Sequence, residues 1–556
     1  MKKLITLVLA LAMVLSFASF GAVAEEVDTL VLLVPETDPA ARPFQLMDLQ
    51  SGKTTCVAWE AFQVLEAKYG LEIVFDAVTN SQYDTAAQTR LAAGLDLPDI
   101  MSIKMLSDSE ITSYSRNGTF LPVNKIIEEY CTDETKERIN TYYPYIFGLS
   151  ADPVDGNSYF FAAAYTNTFD GVPNNYIIND KLRYDWMQNL GLETPESVYE
   201  LYDVLVAFQE NDANGNGVIG DEKFYIPENS FYALGNYFGL PMDLLWGELI
   251  DEEGNYYVAS PWLMEGAVDY FELLRDMYDA NLLEIGGGYT QLTAENSLAG
   301  FHAYAWQHSV EDTSPDPNAY YIDLPYDLEA VTGIDAIARM DPFSNFPNEN
   351  FKFAVLNTCD NLEAVGRYFD MLFSEEYEIL TIAGVEGVTY NLIPGAGDRP
   401  YEALNIQFVV SDGDVTAMRE SGLCKGYRLW GKGVMPRITN CNTTTEYLEA
   451  QIAALTEAGD WQQAWRLQAQ LDGYDHGTVT LSTKKLAMPN DEEAERIAQL
   501  TTDLETKAAE IWYNLVTGVA DIADYDAYVE ELRAIGLDEL MELQNGLLER
   551  MVEAMG

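Results

Sequence analysis

GLETPESVYELYDVLVAFQENDANGNGVIGDEKFYIP, residues 191–227, joins an amphipathic helix to an oxygen-rich loop. Thr194 is placed to cap the free amides, Pro195 suits the first helical position, and Glu196 faces the positive end of the dipole. Val198, Leu201, Tyr202, Leu205 and Phe208 recur three and four apart, which turns one stripe toward a core. In the loop, Asp212, Asn214 and Asn216 alternate with small residues, Gly217 permits a sharp turn, and Asp221 and Glu222 add two carboxyl groups. D-x-N-x-N-G sets three side-chain oxygens inside one turn and leaves the Val218 carbonyl pointing the same way. That is the beginning of the roughly six to eight oxygens that calcium takes. The spacing departs from an EF-hand loop, because position 12 is Lys223 and the acidic pair arrives early. An unliganded turn is the alternative, since Asn, Asp and Gly are also the commonest turn formers. The expectation is a structural calcium ion held by Asp212, Asn214, Asn216, Val218, Asp221 and Glu222.

The Thr-Pro-Glu start, the D-x-N-x-N-G loop, the acidic pair and Ile226-Pro227 resemble the large extracellular solute-binding proteins of bacterial ABC importers. These are the family 1, oligosaccharide-binding type with a helix-loop calcium site. The likeness implies that the ion braces one lobe and takes no part in catalysis. Relatives carry the acidic pair directly after the residue that follows the carbonyl ligand, whereas here Gly220 is an extra residue. Further matches follow in the family's order: LDLPDIM at 95–101, NGTFLPVNKIIEEY at 117–130, NNYIINDKLRYDWMQNLGL at 174–192, NLEAVGRYFDMLFSEEYEILTIAGVEGVTYNL at 361–392, and PNDEEAERI with DYDAYVEELRAIGLDEL near the end.

The local patterns agree with an α/β chain. TLVLLV at 29–34 reads as a strand buried in a parallel sheet, 57–69 as a helix and LEIVFDAV at 71–78 as a second strand. A further helix is expected from about Asp84 to Gly94. The tail from Met488 reads as helical, with Asn490 as a cap and Leu500, Leu504, Ile511 and Leu515 on one face. The resemblance implies a periplasmic-binding-protein-like (type II) clamp of two lobes, with an interlobe cleft and a helical C-terminal segment. The division expected is 25–160 with 345–395 as lobe 1, and 161–344 with 396–556 as lobe 2, which holds the loop at 212–222.

Lys2 and Lys3 precede an apolar run from Leu4 to Phe20 that ends at Ala22-Val23-Ala24, so residues 1–24 read as a cleavable secretory signal. The expected location is outside the membrane, extracellular or periplasmic, with no lipidated cysteine directly after the signal. A formal net charge of -59 repels nucleic acid and anionic membrane surfaces, so neither is expected as a bulk partner, and a monomer is expected. The five cysteines, Cys56, Cys131, Cys359, Cys424 and Cys441, are widely spaced with no C-x-x-C, which indicates neither a zinc site nor a disulfide framework.

With 35 Tyr and 9 Trp, the chain has rings to spare for stacking on sugar faces, although most such rings fill cores. Tyr304, Trp306 and His308 alternate along one face of an expected strand, which in the family reaches the cleft. Tyr165, beside the first crossover, and Tyr390, closing the GVEGVTY match, are candidates from the facing walls. Trp59 and Trp246 read equally well as packing. Between Glu420 and Glu446 there is no acidic residue, while Lys425, Arg428, Lys432 and Arg437 interleave with Tyr427 and Trp430. Neighbouring carboxylates could neutralise this patch. Alternatively Arg428 and Arg437, with Trp430, receive the carboxylate or sulfate of an acidic sugar.

The function these readings favour is the extracellular substrate-binding component of an ABC importer, which binds an oligosaccharide between its lobes and delivers it to a membrane permease without chemistry. The alternative is a secreted carbohydrate-active enzyme, a glycoside hydrolase or lyase. No H-E-x-x-H, G-x-S-x-G or P-loop supports a catalytic reading, and no repeats suggest an adhesin.

Overall fold

Strand β1 (Asp28–Glu36) lies parallel to β2 (Leu71–Thr79) along its whole length. The computed structural model describes residues 27–36, 57–143, 147, 150–162, 164–169, 172–173, 178–250, 255–304, 319–325, 328–334, 336–337, 352–382, 385–387, 390–392, 406–408, 438–443, 445–459, 461, 464–465, 467–468, 471, 480–481 and 487–555. Both faces of β1 are buried. Leu30, Leu32 and Val34 join Phe62 and Tyr368 on one side, and Leu33 joins Tyr83 and Met101 on the other. A continuous apolar run is therefore needed here, because helices cover the sheet on both sides. β1 also pairs in parallel with β3 (Ile100–Ser102), and β14 (Lys352–Val355) runs antiparallel between β3 and β4 (Phe161–Ala162). The sheet order is β2-β1-β3-β14-β4.

The chain leaves this sheet at β4, continues through β5 (Ala164–Phe169) and β6 (Val172–Pro173), and enters a second sheet at β7 (Ile178–Arg183). β8 (Lys223–Ile226) there lies parallel to β11 (Leu283–Ile285) and β12 (Leu298–Tyr304), while β7 is antiparallel to β12 and to β13 (Tyr321–Asp323). Its order, β11-β8-β12-β7-β13, repeats the plan of the first sheet: three parallel strands, an antiparallel strand that arrives from the other sheet, then an edge. Strand β17 (Ile438–Thr443) pairs in parallel with β5, so two crossing segments run side by side. A small sheet of β9 (Gly247–Ile250), β10 (Tyr256–Ala259) and β18 (Thr480–Leu481) and a pair of β15 (Tyr390–Leu392) with β16 (Ile406–Phe408) complete the strands described.

The second sheet has its own core. Leu182, Phe224 and Ile322 pack with Phe271, Leu274 and Met277 of helix Ala267–Asp279 and with the C-terminal helices Asp491–Thr517, Tyr525–Ile535 and Leu537–Met555. Leu504, Ile511, Trp512 and Leu515 form the buried stripe of the first of these, and Asn490 caps it in a reciprocal capping box with Glu493. The α/β class and the two-sheet plan agree with the sequence reading.

Two helix starts differ. The helix expected from Thr194 begins at Val198, with Ser197 as its cap, accepting from the Glu200 amide at 3.2 Å. Residues 194–197 stay outside the helix because Ser197 bridges Glu329: the Val198 amide donates to the Glu329 carbonyl at 3.0 Å and the Glu329 amide to the Glu196 carbonyl at 3.2 Å. A tertiary strand pairing outweighs a favourable Thr-Pro-Glu start. The helix expected from Asp84 starts four residues earlier, at Asn80, and ends as expected at a left-handed Gly94. Cys131 and Cys359 are unpaired thiols pushed up to about 12 by burial, so both stay protonated.

Candidate functional site

Helix Val198–Glu210 buries Val198, Leu201, Leu205 and Phe208, and thereby fixes the exit of its last turn into the loop at 211–222. Four residues in that loop, Asp212, Gly215, Gly217 and Gly220, have positive φ, which lets the segment fold back on itself. Both carboxylate oxygens of Asp212 accept from the Gly217 amide, at 3.2 and 2.9 Å. Asn214 accepts from the Asn216 amide at 3.0 Å, and Asn216 accepts from the Val218 amide at 2.7 Å. The side-chain amide nitrogens of Asn214 and Asn216 then donate to Asp221 at 3.3 and 2.6 Å. Despite the extra Gly220, Asp221 thus lies across the turn from the two asparagines.

Glu222 is 1 % exposed. One of its oxygens lies 3.5 Å from the Asn214 amide, and the other has no hydrogen-bond partner. Burial raises its pKa, and the charges of Asp221 and Asp212 raise it further. The Lys223 ammonium points elsewhere, donating to the carbonyls of Gly220 (3.0 Å) and Asn281. Asn281 and Gln209 tie the same corner together, donating to the Gly220 carbonyl at 3.2 Å and the Glu222 carbonyl at 3.0 Å. Ser297, at the foot of β12, donates to Asp221 at 2.7 Å. The loop is in this way anchored to the second sheet by residues that its own sequence pattern does not contain.

Among the described residues, no group of three or more His, Cys, Asp or Glu is drawn together as a metal cage. The candidate donor set is of mixed type. Two candidate ligands are asparagines whose NH2 groups turn toward Asp221 and supply the positive dipole that a cation would bring, and another is the backbone carbonyl of Val218. A buried carboxylate with an unpartnered oxygen beside two further carboxylates fits a hard cation chemically.

The aromatic candidates are distributed unevenly. Tyr304 is the last residue of β12 and pairs across to Ile178 at the start of β7. Tyr165 lies in β5, the crossing strand, and pairs with Thr439 of β17. Tyr390 begins β15 and is only 2 % exposed, with a hydroxyl pushed up to about 12 by burial and by Glu386. It presents no open ring face in this conformation. Trp246 packs against the second core, and Trp59 lies in helix Val57–Lys68. Trp306, His308, Arg428, Trp430 and Arg437 lie outside the described residues, as do residues 1–24.

No protein-family model matches the chain. Among curated proteins it is similar to Lipoprotein LipO of Bacillus subtilis (26 % identity; 60 % of this chain, 64 % of the relative). It is similar also to the fructooligosaccharide ABC transporter substrate-binding protein FusA of Streptococcus pneumoniae (33 % identity; 28 % of each) and to the polygalacturonan/rhamnogalacturonan-binding protein YtcQ of B. subtilis (24 % identity; 57 % of this chain, 59 % of the relative). The chain spans less than two thirds of the length of each. Its fold matches an EF-hand mutant of S. pneumoniae FusA (TM-score 0.64, 16 % identity, 95 % of this chain and 100 % of that one). It matches also the alginate-binding protein AlgQ2 solved without calcium ion (TM-score 0.58, 19 % identity, 95 % and 99 %). The two sheets are those of a substrate-binding-protein fold, and the resemblance read from the motifs holds.

Proposed function

We propose that this chain, folded as a substrate-binding protein and related in sequence to oligosaccharide-binding ones, captures an oligosaccharide between its two sheets and passes it unchanged to an ABC permease. The observation that carries this is the architecture itself: two α/β units with separate cores, linked by the paired crossing strands β5 and β17, so that one can swing on the other. A ligand that touches both units favours the closed arrangement by its better affinity for it. No covalent step is needed. Two of the three relatives are binding proteins by name, which counts against the hydrolase or lyase alternative.

Tyr165 and Tyr304 lie on the crossing strand and at a strand end, and Trp306 and His308 follow within four residues of Tyr304. These, with Trp430, are the proposed ring contacts, and Tyr390, closed over in the present arrangement, would join them only if its ring is uncovered on ligand binding. Arg428 and Arg437 are proposed as the fork for an acidic sugar, in keeping with the polygalacturonan named for one relative. A calcium ion held by Asp212, Asn214, Asn216, the Val218 carbonyl, Asp221 and Glu222 would neutralise the buried carboxylates and brace the helix-loop corner against β12. The proposed setting is outside the cell, as a secreted monomer.

Calorimetry with fructooligosaccharides, galacturonate oligomers and neutral glucans, run beside a reducing-end assay on the same mixtures, tests the function. Binding to one class without new reducing ends is expected. New reducing ends would overturn it. For the acidic-sugar reading, unchanged galacturonate binding in Arg428→Ala plus Arg437→Ala would retire it.

A further inference from the structure

A second aromatic recess lies at the other end of the second sheet. β7 runs from Ile178, paired with Tyr304, to Arg183, paired with Tyr321, and Tyr184 follows directly. At about 3.3 Å per residue, Tyr184 stands roughly 20 Å from the strand end that carries Tyr304. Around it, helix Tyr184–Leu190, helix Thr445–Ala458 and residues Trp461, Ala464, Trp465 and Gln468 line an open cavity of 460 Å³. That falls within the ~300 to 1,000 Å³ of small-molecule pockets.

Its lining is Tyr184, Trp461 and Trp465 with Gln188, Thr456 and Gln468 over a small apolar floor. Trp461 is 42 % exposed although it is among the largest apolar side chains in the chain. Its ring centre is 5.3 Å from Tyr184 and 5.0 Å from Tyr320, and Trp465 is 5.7 Å from Tyr184, so the platform is held from behind by ring contacts. Among the described residues, no charged side chain lines the recess, in a chain with 90 acidic and 31 basic residues. The lining described, two carboxamides and a hydroxyl among aromatic rings, suits a neutral ligand. Flat rings beside carboxamides and a hydroxyl suit an occupant with an apolar face and an equatorial rim of hydroxyls.

We propose that this recess is a second carbohydrate site, outside the cleft, that takes one or two neutral pyranose rings and holds a glycan chain at the end of β7 away from Tyr304. Its role is to retain a polymer or a branched sugar near the protein, so that a second contact on the same glycan acts at raised local concentration. The site is independent of which sugar the cleft takes.

Saturation-transfer NMR on the full chain with methyl β-D-glucopyranoside, methyl β-D-galactopyranoside and methyl α-D-mannopyranoside tests it, with Kd on the order of 1 mM expected for a single ring. Trp461→Ala should weaken the signal at least tenfold, and Thr456→Trp, which fills the recess from an exposed helix position, should do the same with the Trp461 platform intact. Each variant should keep wild-type calorimetric binding of the oligosaccharide that the cleft takes. Glycoside signals equal to wild type in a folded Thr456→Trp chain would overturn the second site and leave the cleft reading standing. Loss of all oligosaccharide binding in Thr456→Trp would instead mean that the recess is the main site, and the cleft reading would fall.

Discussion

Glu66 shows how burial sets a side chain's chemistry. It is 6 % exposed, accepts from the Ile73 amide at 2.9 Å, and has a pKa raised from 4.5 to about 7, first by burial and then by the charge of Glu72. A carboxyl raised in the folded state binds more protons there than in the unfolded chain between those two values. Its contribution to stability is therefore lost as the pH climbs from below 5 to above 7. Glu66→Gln keeps the acceptor for Ile73 and removes the charge, so chemical denaturation should find it more stable than the parent at pH 8. The gain expected is on the order of 3 kcal/mol at most, and the two chains should be equal near pH 4. A gain of the same size at pH 4 would show that packing and not charge is responsible. Legibility at this scale was mixed. The oxygen-rich loop stood out because its ligand types are adjacent in sequence, whereas Ser297 and Asn281, which anchor it, lie more than fifty residues away and carry no local signal.

At the scale of elements, helices Val123–Tyr130 and Leu362–Leu372 approach so closely at Gly366 that an added Cβ would lie 2.5 Å from the Tyr130 Cβ and 2.8 Å from its carbonyl oxygen. Gly366→Ala should cost about 1–3 kcal/mol, visible as a lowered Tm, because neither helix backbone can yield cheaply. Ser197→Ala should cost about 1 kcal/mol by freeing the Glu200 amide at the start of the helix that leads into the oxygen-rich loop. Thr194→Ala, at the residue the sequence nominates as the cap, should leave the helix start unchanged. A loss at Thr194 equal to that at Ser197 would refute the observed boundary. Most elements were legible from periodicity and caps, among them β1, β2, the Asn490 cap and the Gly94 stop. The misplaced start at 198 was not, because the bridge to Glu329 involves a partner 132 positions away.

For the whole molecule, the loop joins its helix to the second sheet, so a bound cation should stabilise the unit that includes the C-terminal helices. At a free calcium concentration a hundredfold above Kd the gain is about 2.7 kcal/mol. A chelator should lower the Tm of the parent and leave that of Asp221→Ala, already low, unmoved. Equal Tm with and without chelator would argue for an unliganded turn. Closure over an oligosaccharide should also shrink the radius of gyration measured by X-ray scattering, and an unchanged value on saturation would argue against a hinge. By itself, the order of residues determined the α/β class, the helical tail and the tight oxygen-rich turn, because apolar periodicity, caps and clustered oxygens are properties of neighbours along the chain. Only the tertiary structure decided that the C-terminal helices complete the second core, that β17 joins β5 to form a double crossing, and that Tyr184 meets Trp461. Those contacts join segments hundreds of residues apart, and the free energy that selects them comes from burying faces whose partners no local pattern identifies.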